Sequence, residues 1–152
     1  MKYIKTSKGH RVTVSDIDYD YLSLVKWYFD GRYVRNNKLG LLHRVVLSRA
    51  IDRNIPKGFE TDHINGNPSD NRRENLRLAT ISENHMNSGK RIGKSGFKGV
   101  RKQTGRNSWQ ANITFNQKKI FIGTFSTPQA AALAYNKKAK ELYGEYAYLN
   151  IV

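Results

Sequence analysis

Thr61–Asn87, TDHINGNPSDNRRENLRLATISENHMN, is the stretch around which the rest of the chain is organised. It sets Asp62 beside His63, with Asn75 twelve residues after that His and Asn84 twenty-one after it. Asn65-Gly66 and Asn67-Pro68 are turn words, because Asn and Gly tolerate left-handed backbone and Pro fixes φ. A short extended run precedes them, a second follows Asn75, and Thr80 or Ser82 can open a helix that carries Asn84. The pattern is strand, Gly/Asn loop, strand and helix, folded round one small space that could seat a metal ion.

Working outward, bulk properties limit what such a space can hold. The chain has 152 residues, 38% of them hydrophobic, and no cysteine. Small cores suit two domains better than one, and the missing cysteines remove disulfides and thiolate zinc sites together. Any metal here is held by oxygen or imidazole ligands. The formal net charge is +15, from 27 Lys and Arg against 12 Asp and Glu. Such an excess repels itself unless a polyanion is the usual partner, and nucleic acid is the expected one. A membrane surface is the rival, but the chain shows no basic amphipathic helix, no lipidation signal and no apolar run near the ~20 residues of a span. MKYIKTSKGH does not lead into a signal-peptide core. The expectation is a soluble intracellular protein, not secreted, with no small-molecule substrate.

Upstream, residues 1–58 read as a strand-rich lead-in with one short helix. Ser15 is a candidate N-cap for Asp16–Leu24, Lys26–Phe29 is an apolar strand-like run, and Asp30-Gly31 signals a turn. Arg32–Arg35 and Leu41–Val46 are two further strands, or a strand followed by a helix. Trp27, Tyr28 and Phe29 are read as core. His43, in LLHRVVL, is read first as a hydrogen-bonded structural group, with contact to an active site as the alternative.

Phosphodiester cleavage needs a nucleophilic water, charge to stabilise a crowded phosphorane-like transition state, and help for the leaving oxygen. A neutral imidazole can take the water's proton, since its unperturbed pKa of ~6.5 leaves much of it deprotonated at neutral pH. His63 is the candidate. Asp62 and Asn84 offer the carboxylate and amide oxygens that suit Mg²⁺. Asn75 is cast as a brace whose amide bonds loop backbone so that His63 keeps its orientation. Against this, the turn words are common, and Arg72, Arg73 and Arg77 could be a solvated face.

DHINGN, the NRREN run and the following SEN together resemble the HNH, or His-Me finger, nuclease family, most closely its phage and intron-encoded homing endonucleases, over roughly residues 41–88. The resemblance implies a ββα-metal finger with its core at 60–88, His63 as general base, Asp62 and Asn84 as ligands of a divalent ion (Mg²⁺, or Mn²⁺ in its place), and Asn75 as a supporting residue of the catalytic group. It departs from the literal name at its third position, where Asn84 stands in place of His with His85 next to it. Whether His85 touches metal stays open.

Downstream, NSGKRIGKSG is rich in glycine and basic residues, and 89–94 read as a basic linker lying on phosphates. Residues 90–152 hold 12 Lys and Arg against Glu141 and Glu145, a net of +10. Phe97–Arg101 is a short strand, Trp109–Phe115 alternates apolar and polar, and a turn at Asn116-Gln117 leads to Ile120–Ile122. Thr127 can cap a helix with Pro128 in its first turn and Gly144 past its end. Ala131, Tyr135, Ala139 and Leu142 share a face of that helix and would pack on Ala111, Ile113 and Ile122. The expectation is a three-stranded antiparallel sheet with one helix behind it and its other face free.

FKGVR, IGTF and AALAYN…LYGEYAYLN, across 95–150, resemble the AP2/ERF DNA-binding domain. That family lays its sheet in the major groove, and by position the resemblance puts Lys98, Arg101, Gln103, Thr114, Lys119 and Phe121 on double-stranded DNA. Thr114 stands where the plant factors often have Arg. The whole chain is thus expected to be α+β: an HNH endonuclease domain at 1–88 and an AP2/ERF-like domain at 95–152. It is expected to be metal-dependent and of phage or mobile-element type, acting in a host cytoplasm if phage-encoded. The alternative is a non-catalytic DNA-binding regulator with a relic finger. RNA binding ranks below both, because the basic sheet lacks a cluster of exposed stacking aromatics.

Overall fold

The computed structural model describes residues 1–89 and 93–152, and within them the chain divides into two compact units, Met1–Asn84 and His85–Val152. Lys90, Arg91 and Ile92, the middle of the linker expected at 89–94, lie outside the described residues. The architecture is mixed α+β, built from several small sheets and few helices.

In the first unit, β1 (Lys2–Lys5) and β2 (Arg11–Val14) form an antiparallel hairpin. α1 (Asp16–Ser23) follows, with Ser15 at its N-cap position. The Ser15 hydroxyl makes no capping bond; it accepts instead from the backbone N–H of Arg73 at 2.9 Å. β3 (Tyr28–Phe29), β4 (Val34–Asn36) and β5 (Gly40–Leu41) make a second small sheet. The ambiguity at Leu41–Val46 resolves to helix α2 (Leu42–Ala50), whose Leu42, His43, Val46 and Leu47 are buried at helical spacing. Of the aromatic trio only Trp27 is fully inside, its indole N–H donating to the Leu22 carbonyl at 2.8 Å. Tyr28 is 41% exposed, because strand alternation turns it away from the face that Phe29 shares with the stacked His10 ring.

The Thr61–Asn87 stretch is folded into this same unit. β6 (Phe59–His63) pairs antiparallel with β8 (Leu76–Thr80), with Asp62 opposite Arg77 and His63 opposite Leu76. The loop between them contributes β7 (Asp70–Asn71), which pairs in parallel with β2 and so ties the loop to the lead-in. α3 (Ile81–Met86) begins with a reciprocal cap: Glu83 accepts from the Thr80 backbone N–H, and the Thr80 hydroxyl accepts from that of Glu83. The unit boundary falls inside α3.

The second unit is a sheet of order β11-β10-β9 with one helix packed on it. Its strands are β9 (Val100–Lys102), β10 (Trp109–Phe115) and β11 (Lys118–Phe125). β9 starts later than Phe97 because Gly99 is at φ +76° and the Ser95 hydroxyl bonds the carbonyls of Phe97 and Val100, which bends 97–99 into a turn. Asn116 and Gln117 both adopt positive φ, giving the two-residue hairpin turn. In α4 (Pro128–Tyr143) the Thr127 hydroxyl caps the Ala130 N–H at 3.1 Å, and Gly144 ends the helix at φ +55°. Ala131, Tyr135 and Ala139 are buried against Ala111 and Ile113, with Ile122 and Leu142 half-buried beside them. Among the described residues no helix is long and apolar enough to cross a membrane.

Candidate functional site

His63 ends β6 with only 7% of its surface exposed. Its Nε2 lies 3.3 Å from the Asn71 Oδ1, and the Asn71 amide nitrogen donates to the Pro68 carbonyl, so the amide oxygen is the atom turned to the ring. An amide oxygen only accepts; Nε2 therefore carries the proton of the neutral imidazole, and the basic lone pair is on Nδ1. Burial pushes the His63 pKa down, while the Asn71 hydrogen bond and the charges of Asp62 and Asp70 oppose it without reversing it. The ring is neutral at pH 7.

Two further rings wall this imidazole. His43, from α2, meets it edge-on at 5.1 Å between centroids, and Tyr33 lies nearly parallel to it at 6.5 Å. Tyr33 also touches His43 edge-on at 4.9 Å. Burial, with the neighbouring His63 ring and the charges of Arg44 and Arg32, pushes the His43 pKa down to about 3. His43 thus sits at the site as an uncharged ring, the alternative the sequence left open.

Asn75 bonds loop backbone. Its Oδ1 accepts from the Asn65 N–H, and its Nδ2 donates to the Asp70 carbonyl and the Asn65 side chain. The residue that meets the His63 ring is Asn71, to which no motif in the sequence points. Its clue is the parallel pairing of β7 on β2, a contact no local pattern announces.

Asp62, one position before His63, projects to the opposite face of β6 and shares that face with Glu60. Its Oδ2 accepts from Arg77 Nε at 2.9 Å and is ion-paired with Arg77 Nη2 at 2.8 Å. Asn84 is held on α3 by its amide nitrogen, which donates to Glu60 Oε2. The Asp62 carboxylate and the Asn84 amide oxygen are hard donors of the kind that Mg²⁺ and Mn²⁺ take. Among the described residues no group of three or more His, Cys, Asp or Glu is gathered as a metal cage. His85 follows Asn84 on α3, about 100° further round the helix.

The loop arginines are not a solvated face. Arg72 grips Asp70 through Nε and Nη2, both at 2.8 Å, and reaches Glu74 through Nη1. Arg73 holds the fully buried Asp18 carboxylate at 2.6 and 2.7 Å, with Arg49 also on it. Burial raises the pKa of Asp18, and the hydrogen bonds from Arg73 and Arg49 outweigh that and hold it below the usual carboxylate range.

In the second unit, Arg101, Thr114, Lys119 and Phe121 lie on the sheet face away from α4, and all four are exposed. Register adds Gln110, opposite Arg101 and bonded to its guanidinium at 2.7 Å, and Asn112, opposite Phe121. Lys98 and Gln103 sit elsewhere. Lys98 Nζ donates to the Met86 carbonyl at 2.8 Å, and Gln103 is a loop residue that accepts from the Ser108 hydroxyl.

A family model described as HNH endonuclease matches residues 41–86. An uncharacterized HNH endonuclease of Acanthamoeba polyphaga mimivirus is 36% identical over 146 residues, covering 94% of this chain and 76% of that protein. Protein 3.8 of Escherichia phage T7 is 34% identical over 94 residues, 61% of this chain and 77% of that one. An ethylene-responsive transcription factor of Arabidopsis thaliana is 43% identical over 56 residues, 36% of this chain and 30% of the factor.

Proposed function

The chain belongs to the HNH endonuclease family, and from that membership we propose that it hydrolyses DNA phosphodiester bonds with His63 as general base. The observation that carries this is the Asn71 bond to His63 Nε2, which leaves the lone pair on Nδ1 in a ring kept neutral by burial. His63 takes the proton of the attacking water at that nitrogen. Asn75 holds the loop from which Asn71 and Asp70 project, and Asn71 fixes the ring.

Asp62 and Asn84 are the residues that would hold a divalent ion, Mg²⁺ or Mn²⁺, and such an ion supplies charge to a crowded phosphorane-like transition state and its departing oxygen. Arg77 orients the Asp62 carboxylate, and Glu60 orients the Asn84 amide.

Residues 1–88 form the nuclease domain on this reading, and 95–152 an AP2/ERF-like domain that binds double-stranded DNA through its free sheet face. The resemblance of that half to the plant factors and the excess of cations there support the assignment. Arg101, Thr114, Lys119 and Phe121 are its contacts, with Lys98 and Gln103 at its margin. A homing enzyme of phage or mobile-element type, acting on DNA in a host cytoplasm, fits the viral relatives.

The test is conversion of supercoiled plasmid with Mg²⁺. His63→Ala should lose all cutting while binding duplex DNA as tightly as the natural chain, and chelation should silence the natural chain reversibly. Cutting by His63→Ala at the natural rate removes His63 from the reaction. A regulator with a relic finger would bind DNA and cut in none of these conditions.

A further inference from the structure

Arg72, Arg73 and Arg77, the Lys and Arg residues of the Thr61–Asn87 stretch itself, each rest against a carboxylate: Asp70 and Glu74, Asp18, and Asp62. A phosphate arriving at His63 would have to break one of those pairs or find its cations elsewhere. The lead-in supplies them. Arg32 lies with its guanidinium over the Tyr33 ring at 4.6 Å from the centroid, and Tyr33 stacks on His63. The turn that presents both is built tightly, because Gly31 takes φ +98° and the Asp30 carboxylate accepts from the backbone N–H groups of Arg32 and Tyr33 at 3.0 and 2.8 Å. Arg44 is half-buried on α2, one position after His43, whose ring meets His63 edge-on. The charges of both arginines are felt at the His43 ring.

We propose that Arg32 and Arg44 form a rim that holds the DNA backbone at the His63 pocket, each guanidinium taking oxygen of a phosphate beside the scissile bond. A guanidinium suits that task, since its planar fork matches two phosphate oxygens. Tyr33 serves as the platform that keeps Arg32 directed at the pocket. The lead-in, on this view, is a substrate-binding part of the nuclease and not only packing for the finger. The proposal rests on the reading of His63 as the base.

The test uses the full chain carrying Arg32→Ala with Arg44→Ala, measured in two ways. Binding to a fixed duplex is titrated against salt in a His63→Ala background, so that this readout does not depend on cutting. Taking away two phosphate-binding side chains should flatten the log-log slope by about 0.9 each, and the Lys replacements at both positions should keep the slope. With His63 restored, cleavage at saturating DNA should fall about tenfold or more, because a misplaced phosphate is cut slowly even when bound. An unchanged slope overturns the proposal. So does a flattened slope with cleavage at the natural rate, which would put the rim away from the scissile phosphate. If His63→Ala itself cuts normally, the active-site reading fails separately, and the salt slope still reports whether these arginines meet DNA.

Discussion

In the first unit, the arginines of the finger are structural: Arg72, Arg73 and Arg77 each close on a carboxylate, and Asp18, held by Arg73, has no exposed surface at all. In the second unit the described cations stand outside a small apolar core, and Glu141 and Glu145, both exposed, are its only carboxylate side chains. One unit adds to an apolar core of its own buried charge pairs between residues far apart in sequence, Asp18 with Arg49 and Arg73. The other joins a regular sheet to a regular helix by apolar contact. Charge held inside fixes geometry for chemistry, whereas charge left outside is available to a polyanion.

The sharpest way to break this contrast is to disturb the packing of the second unit at Gly99. A Cβ built there would lie 2.2 Å from the Tyr135 ring and 2.6 Å from the Asn112 carbonyl oxygen, at a φ of +76° that side chains avoid. Gly99→Ala should cost about 4 kcal/mol from strain and overpacking together. Calorimetry should then show a transition of the second unit lowered or abolished while that of the first is kept. Loss of both transitions together would mean that the units do not unfold independently.

The matching change in the first unit is Asp18→Ala. It removes the shared acceptor of Arg73 and Arg49, and the expected loss is about 3 kcal/mol, at the low end for a broken buried pair because both arginines keep some contact with water. The same group predicts the acid behaviour. The Asp18 pKa is depressed in the folded state, so its contribution is full above the unfolded carboxylate value of ~3.9 and is lost as pH falls through the folded value. Asp70, held down chiefly by Arg72, adds in the same direction. Circular dichroism across a titration from pH 6 to roughly pH 2 should find the first unit melting earlier than the second, and Asp18→Ala should flatten the dependence. Equal acid sensitivity of the two units would contradict the difference drawn between them.

The smallest effect tests the outer charge. Arg101→Ala and Lys119→Ala should leave stability within about 0.5 kcal/mol, yet each side chain that meets a phosphate should, once removed, reduce the salt slope of DNA binding by about one unit. If either position meets a base, specificity there should relax by about 1 to 3 kcal/mol instead. Binding that ignores both changes would take DNA off this sheet face.

Much of this is legible because it is local. The alternation of Trp109–Phe115, the positive-φ pair at Asn116-Gln117 and the cap at Thr127 follow from side-chain period and from which residues tolerate each φ. The pairing of β6 with β8, and the helix carrying Asn84, follow from the turn words and from the Thr80–Glu83 cap. What the tertiary structure alone decided is who satisfies whom. Ser15 is a good cap residue by type, but its hydroxyl goes to Arg73, fifty-eight positions away. Asn75 is the apparent brace of His63 by spacing, but the ring meets Asn71, because β7 lies beside β2. Local conformation depends on a residue and its neighbours in the chain. A buried charge or ring nitrogen is satisfied by whatever polar group the fold brings to it, and sequence carries no period for that.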